Sequence, residues 1–102
     1  MHVISIRRLK AYWQRHEAAR IGLLAWHKIA SKANWLDIND VRKSLPTADA
    51  VKVKSGAVMT VFNIKGNHYR LITSIYYPGQ QVYIKMVLTH AQYSRDQWKE
   101  QL

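Results

Sequence analysis

The sequence predicts an α+β domain in which two N-terminal helices cover one face of a small, mainly antiparallel twisted sheet. Three observations carry this reading. Apolar residues recur at helical spacing through the first third of the chain. From Val51 onward the period changes to two. Two turn signals, Gly66-Asn67 and Pro78-Gly79, then divide the second half into strands of similar length.

The elements follow in order. Val3-Ile4-Ser5-Ile6 is short and β-branched, which suits a first strand. Leu9, Tyr12, Trp13 and His16 share one helical stripe, and Ile21, Leu24, Ala25 and Ile29 share another. They predict helices over 8–16 and 18–33, the second weakened slightly by Gly22. Trp26 and Trp35 read as packing residues, because large aromatics mostly serve burial. Asn39 or Asp40 can cap a short helix over 41–45 that Pro46 stops, with 47–50 as a loop. Strands are predicted over 51–54, 57–65, 68–77 and 82–89, and a polar tail over 92–102 contains a short helix with Trp98 tucked back.

A chain of 102 residues fits one domain, taken as 1–102. Sixteen Lys+Arg stand against six Asp+Glu, a formal net charge of +10. The excess is not a tail: nine basic and four acidic residues precede position 52, and seven and two follow. A folded surface of that sign suits a polyanion such as nucleic acid. There is no cysteine, which excludes disulfides, thiolate metal sites and cysteine nucleophiles. No apolar run approaches the roughly 20 residues that span a bilayer. Arg7 and Arg8 follow the apolar start, the reverse of a secretory signal. The expected location is the cytoplasm, with no membrane partner.

Residues opposite each other in an antiparallel pair share a face. A turn at Gly66-Asn67 sets Asn63 against Arg70 and Val61 against Ile72. A hairpin closing Tyr77 on Val82 sets Tyr76 against Tyr83, Ser74 against Lys85, Ile72 against Val87 and Arg70 against Thr89. One face then carries Phe62, Ile64, Tyr69, Leu71, Ile75, Tyr77, Val82, Ile84, Met86 and Leu88, a core face for the helices to cover. The other carries Asn63, Lys65, His68, Arg70, Ser74, Tyr83, Lys85 and Thr89 around Val61 and Ile72. It is basic and contains no acid, and all six carboxylates fall outside the predicted strands.

Such a face can cut RNA without a metal or other cofactor. The 2′-hydroxyl attacks the adjacent phosphorus and the 5′-oxygen leaves. The reaction needs a base, a cation for the charge on the phosphorane, and an acid. Arg suits phosphate because its planar fork binds two oxygens at once. Lys65, His68 and Arg70, with His90 and Tyr93 nearby in sequence, supply every type required. Lys52, Lys54 and Lys85 serve as phosphate contacts, and Asn63 and Tyr83 as further RNA-binding groups. Metal-dependent cleavage is disfavoured, since Mg²⁺ wants clustered carboxylates. No Walker, Rossmann or Gly-x-Ser-x-Gly motif is present, and no zinc-type spacing. His2, His16 and His27 read as structural or exposed.

The run Val61-Phe62-Asn63-Ile64-Lys65-Gly66-Asn67-His68-Tyr69-Arg70-Leu71-Ile72 resembles the HigB branch of the RelE-like toxins. So do Val82-Tyr83-Ile84-Lys85 and Leu88-Thr89-His90-Ala91-Gln92-Tyr93, together with the segments RLKAYWQRH and ANWLDINDVRKSLPTAD. The resemblance covers nearly the whole chain. It implies a RelE-like fold and a toxin that cleaves mRNA during translation in the ribosomal A site. It also implies a HigA-like helix-turn-helix antitoxin that holds the toxin inactive and connects it to operator DNA. Arg70 matches the strand arginine that such toxins place against the scissile phosphate. His90 and Tyr93 match the C-terminal segment where the family puts proton-transfer groups. For His90 to act there, the last strand must end or bulge near Thr89, since a straight strand turns His90 into the core.

Rival readings use the same residues. A binding module would hold RNA or ribosome on Arg70, Lys65 and Lys85 without chemistry. A DNA-binding regulator would need a recognition helix, and both N-terminal helices look sheet-covering instead. A degenerate toxin would survive only as an antitoxin partner.

Overall fold

The switch of period at the middle of the chain becomes a division between helices and sheet. The computed structural model describes all of residues 1–102. It runs β1 (His2–Ile4), α1 (Ile6–Arg15), a 3-10 turn (Glu17–Ala19), α2 (Arg20–Lys32), α3 (Ile38–Ser44), β2 (Asp49–Lys52), β3 (Val58–Ile64), β4 (Tyr69–Tyr76), β5 (Gln81–Thr89), α4 (His90–Ser94) and a C-terminal 3-10 turn (Gln97–Gln101). The five strands form one sheet in the order β1-β5-β4-β3-β2. Only the β1–β5 pair is parallel. This is the expected α+β architecture.

Beneath the helices lies a core of 13 buried residues. Phe62 is its centre, with the Trp26 and Trp35 rings at 5.3 and 6.1 Å. Leu9 from α1 and Leu23, Trp26 and Ala30 from α2 pack onto Phe62, Ile64, Leu71, Val82 and Ile84 of the sheet. Gly22 has a structural reason to be small. A Cβ there would lie 2.7 Å from Ile64 Cγ2 and 3.2 Å from the Lys65 backbone nitrogen, so α2 crosses the end of β3 at close range.

Several expectations are corrected. α2 does not bury Ile21, Leu24, Ala25 and Ile29; these are exposed, and the neighbouring stripe of Leu23, Trp26 and Ala30 faces the sheet. Both stripes are apolar at helical spacing, so periodicity alone could not choose between them. The cap of α3 is Asp37, whose carboxylate accepts the Asp40 N–H at 3.0 Å, rather than Asn39 or Asp40. The loop over 47–50 ends early, because β2 starts at Asp49.

The β3–β4 register is as expected, with Asn63 against Arg70 and Val61 against Ile72. The β4–β5 register is not. The hairpin closes Tyr76 on Gln81, so Ser74 faces Tyr83 instead of Lys85. A bulge then leaves Lys85 without a partner, since Thr73 pairs with Ile84 and Ile72 with Met86. One extra residue reverses the facing of everything after it. Val87 therefore packs toward the helices, while Met86 and Leu88, expected in the main core, lie on the opposite face. Arg70 faces Leu88, and Thr89 pairs with Tyr69.

That opposite face is not an open, solvated surface. Val53, Met59, Val61, Ile72 and Trp98 form a second buried cluster, with Met86, Leu88, Tyr93 and Leu102 packed around it. The C-terminal segment folds back to make this cover. The Trp98 indole N–H donates to the Tyr93 carbonyl (3.1 Å), the Lys54 N–H donates to the Lys99 carbonyl (3.1 Å), and Lys54 pairs with Glu100 (2.8 Å).

Candidate active site

Beyond the cover, at the β3–β4 turn, the second face carries a cluster of polar groups. Gly66 sits at φ +65, the left-handed conformation that glycine adopts without strain, and reverses the chain between Ile64 and Tyr69. Arg70 follows on the first outward-facing position of β4. Its Nη1 donates to the carbonyls of Asn67 (2.7 Å) and Tyr69 (3.3 Å), which holds the guanidinium at the turn. Neither Nε nor Nη2 makes a hydrogen bond within the chain. Arg70 Cζ lies 5.2 Å from the centroid of the Tyr93 ring. Tyr93 in turn stacks on Trp98 at 5.2 Å and 19°.

β5 ends where His90 requires it to. Thr89 is the N-cap of α4, and its side chain accepts the Gln92 N–H at 3.2 Å. The Gln92 side chain accepts the Thr89 N–H at 2.9 Å, which completes a reciprocal capping box. His90 is therefore the first helical residue and is exposed rather than directed into the core. Its N–H donates to the His68 carbonyl at 2.9 Å, so the two histidine backbones are tied across the end of the sheet. Arg70 and His68 from the β3–β4 hairpin and His90 and Tyr93 from α4 thus lie together at one end of the sheet, with Asn63 opposite Arg70. Lys65 is exposed in the same turn, where its carbonyl accepts the His68 N–H.

The expected phosphate contacts Lys52, Lys54 and Lys85 do not gather here, nor does Tyr83, expected as a further RNA-binding group. Lys52 pairs with Val58, so it points to the face opposite Arg70. Lys54 is committed to Glu100. Tyr83 lies toward the far end of β5, beside Ile4 and Ser74, with its hydroxyl donating to Gln81 (3.1 Å). Lys85 is the bulge residue and lies against α1. A strict alternation could not separate these positions.

One group was missed. Asp49 opens β2 opposite Val61 and shares its face with Val51, so a carboxylate does enter the sheet. It lies 3.7 Å from Arg42. The signal was available: extending the period of Val53 and Val51 back by two residues reaches Asp49. Burial pushes the Tyr93 phenol above its ordinary pKa, and the negative charges of Asp49 and Asp96 act in the same direction; Lys99 and Arg70 oppose them and do not prevail. Tyr93 therefore keeps its proton at neutral pH, where it can donate one but is a poor base.

Comparison with known proteins settles the family. Residues 19–96 match the model of the HigB toxin family, described as the RelE-like toxic component of a toxin–antitoxin system. The chain belongs to that family. It is also similar to the mRNA interferase toxin HigB of Escherichia coli (strain K12). The two are 26% identical over 93 residues, covering 91% of this chain and 88% of the relative. The mRNA interferases HigB of Escherichia coli O157:H7 and Shigella flexneri match to the same extent. The α+β architecture with a mostly antiparallel five-stranded sheet agrees with a RelE-like toxin. As the toxic half of a two-part system, a HigB toxin has an antitoxin as its partner. No helix of the chain is long and apolar enough to cross a membrane.

Proposed function

We propose that residues 1–102 form a single toxin domain that cleaves mRNA by attack of the 2′-hydroxyl on the adjacent phosphate, without a metal. The observation that carries this reading is the convergence at one sheet end of Arg70, a protonated Tyr93 and the linked pair His68 and His90. Arg70 offers Nε and Nη2 to the phosphate and stabilises the extra charge of the phosphorane. His68 or His90 takes the proton of the 2′-hydroxyl, and Tyr93 or the other imidazole returns one to the leaving 5′-oxygen. Lys65 and Asn63 orient the strand.

The relatives' designation as mRNA interferases supports RNA as the substrate and mRNA as its class. By the same reasoning a translating ribosome in the cytoplasm is the working context. The partner is then a HigA-like antitoxin carrying a helix-turn-helix, which brings the pair to operator DNA. The antitoxin silences the toxin by covering or distorting the Arg70 end of the sheet.

The test is inducible expression in a bacterial host, with growth and mRNA 5′ ends followed together. Wild type arrests growth and produces new cuts inside translated messages, and Arg70→Ala lowers both by about a hundredfold or more, as for loss of one charge-stabilising donor. Soluble wild-type protein that neither slows growth nor cuts mRNA would refute the reading. Cutting lost but RNA binding retained in His90→Ala separates this chemistry from a purely binding module.

A further inference from the structure

α1 carries Arg8, Tyr12 and Arg15 at spacings of four and three along one edge, and its C-cap His16 follows there. That edge meets β5 where the sheet is open. β1 pairs with β5 only as far as Tyr83, so from Ile84 onward no strand covers the edge of β5 that faces away from β4. Between the two elements lies a groove of 530 Å³ that Arg8, Arg15, His16 and Lys85 line and to which no carboxylate contributes. Its shape is set by the bulge: Arg8 Nη1 donates to the carbonyl of Lys85, the unpaired residue, at 2.8 Å. On its rim the exposed His16 ring stacks on Tyr12 at 4.2 Å and 15°, and Tyr12 meets Tyr69 edge-on at 5.9 Å.

We propose that this groove is a second nucleic-acid site, which holds the sugar–phosphate backbone and a stacked base of a single-stranded RNA on the helix side of the sheet, across from the face that carries Arg70. Cations attract any anion, but cations beside a stacked ring are the combination that grips single strands, because every base offers a π-face. An acidic protein segment would use the charges and leave the His16–Tyr12 stack idle. The groove continues toward the C-terminal segment. Met86 lines both this groove and a smaller one of 260 Å³ bordered by Leu88, Gln92, Arg95 and Trp98, beneath the segment that carries Tyr93. A strand crossing the open edge of β5 at Met86 would meet both. That this RNA is the substrate rests on the ribonuclease reading above; binding in the groove does not.

The experiment measures anisotropy of a fluorescein-labelled 2′-O-methyl RNA of about 12 nucleotides, within the span of single-strand sites, over a salt series. Its blocked 2′-oxygens cannot attack, so binding is read without cleavage. Arg8→Gln/Arg15→Gln is compared with Lys28→Gln/Lys32→Gln on α2, which removes the same charge elsewhere. The groove pair is expected to lose about tenfold in affinity and to reduce the salt slope by about 1.4, near 0.7 per phosphate contact; the α2 pair loses about twofold or less. His16→Ser weakens binding several-fold and His16→Phe restores it, a pattern that charge alone would not produce. Arg15→Gln, which breaks no hydrogen bond of the fold, carries the comparison if the Arg8 change unfolds the protein. Equal losses in the two charge pairs would overturn the proposal in favour of bulk charge. Unchanged RNA affinity with a weakened complex with purified antitoxin would overturn it in favour of protein docking. A wild type that shows the expected binding pattern but cuts no mRNA in cells would support the groove and remove only the ribonuclease reading.

Discussion

The two faces of the sheet are covered in different ways. On one side the helices α1, α2 and α3 and their connections form, with the sheet, a core of 13 buried residues around Phe62. On the other, a short C-terminal segment buries five around Trp98 and leaves the Arg70 end open. The first face owes its cover to long helices whose positions are fixed by many apolar contacts. The second owes it to one tryptophan, one ion pair and two hydrogen bonds. The difference suggests that the fold resides in the thick face, while the thin face holds reactive groups with little packing of its own. Trp98 belongs to both jobs, since it seals the second cluster and stacks on Tyr93.

The sharpest way to break this comparison is to remove the keystone of each face. Phe62→Ala leaves a cavity between Trp26 and Trp35 and is expected to cost about 3–5 kcal/mol, as for aromatic truncation in a core. Cleavage per folded molecule should survive at low temperature. Trp98→Ala is expected to cost about 2 kcal/mol, because its small peripheral cluster can collapse. It should nonetheless lower cleavage by about tenfold or more, since Tyr93 loses the ring that holds it over Arg70. Chemical denaturation beside a cleavage assay reads both quantities. Equal ratios of stability loss to activity loss in the two variants would erase the distinction.

A smaller effect concerns Tyr12, where α1 reaches the edge of the sheet. Its hydroxyl is buried without a partner in the chain, and burial pushes its pKa up to about 12, with Tyr69 adding to the shift. A raised pKa means that the folded state holds the proton after the unfolded chain has released it. The associated stability is present below the ordinary phenol pKa near 10 and declines as pH rises from about 10 to 12. Tyr12→Phe is expected to stabilise the protein slightly at neutral pH, because an unsatisfied buried hydroxyl is removed. It should also flatten the loss of stability across that alkaline window. A melting series from pH 8 to about 12 checks both; an unchanged alkaline slope would count against the assignment.

Much of this molecule was legible in the chain. Helices, strands and the β3–β4 register follow from periodicity and Gly66-Asn67, and they were enough to put Arg70 beside Asn63 on the second face. The rest depended on contacts that local pattern does not encode. The bulge at Lys85 reverses Met86, Val87 and Leu88, yet Val82 to Lys85 alternates and the apolar run Met86-Val87-Leu88 fits either facing. Residues on α2 offered two apolar stripes, and only packing against Phe62 and Ile64 selected Leu23, Trp26 and Ala30. For His90, the Thr89-to-Gln92 spacing of a capping box was itself the cue that the strand ends there. The tail was expected to tuck Trp98 back, as it does, but the extent of the second cluster was hidden because the rest of Gln97–Gln101 looks polar.

The most direct test of the central claim is the chemistry of the cut ends. RNA from cells expressing the wild type, with Arg70→Ala as control, is divided into fragments that carry a 5′-hydroxyl and fragments that carry a 5′-phosphate. Attack by the 2′-hydroxyl breaks the bond to the 5′-oxygen, so the new fragments should begin with a 5′-hydroxyl, their upstream partners should end in a 2′,3′-cyclic phosphate, and both should vanish in Arg70→Ala. New ends bearing a 5′-phosphate and a 3′-hydroxyl would mean that water, not the 2′-hydroxyl, is the nucleophile, and would contradict the account.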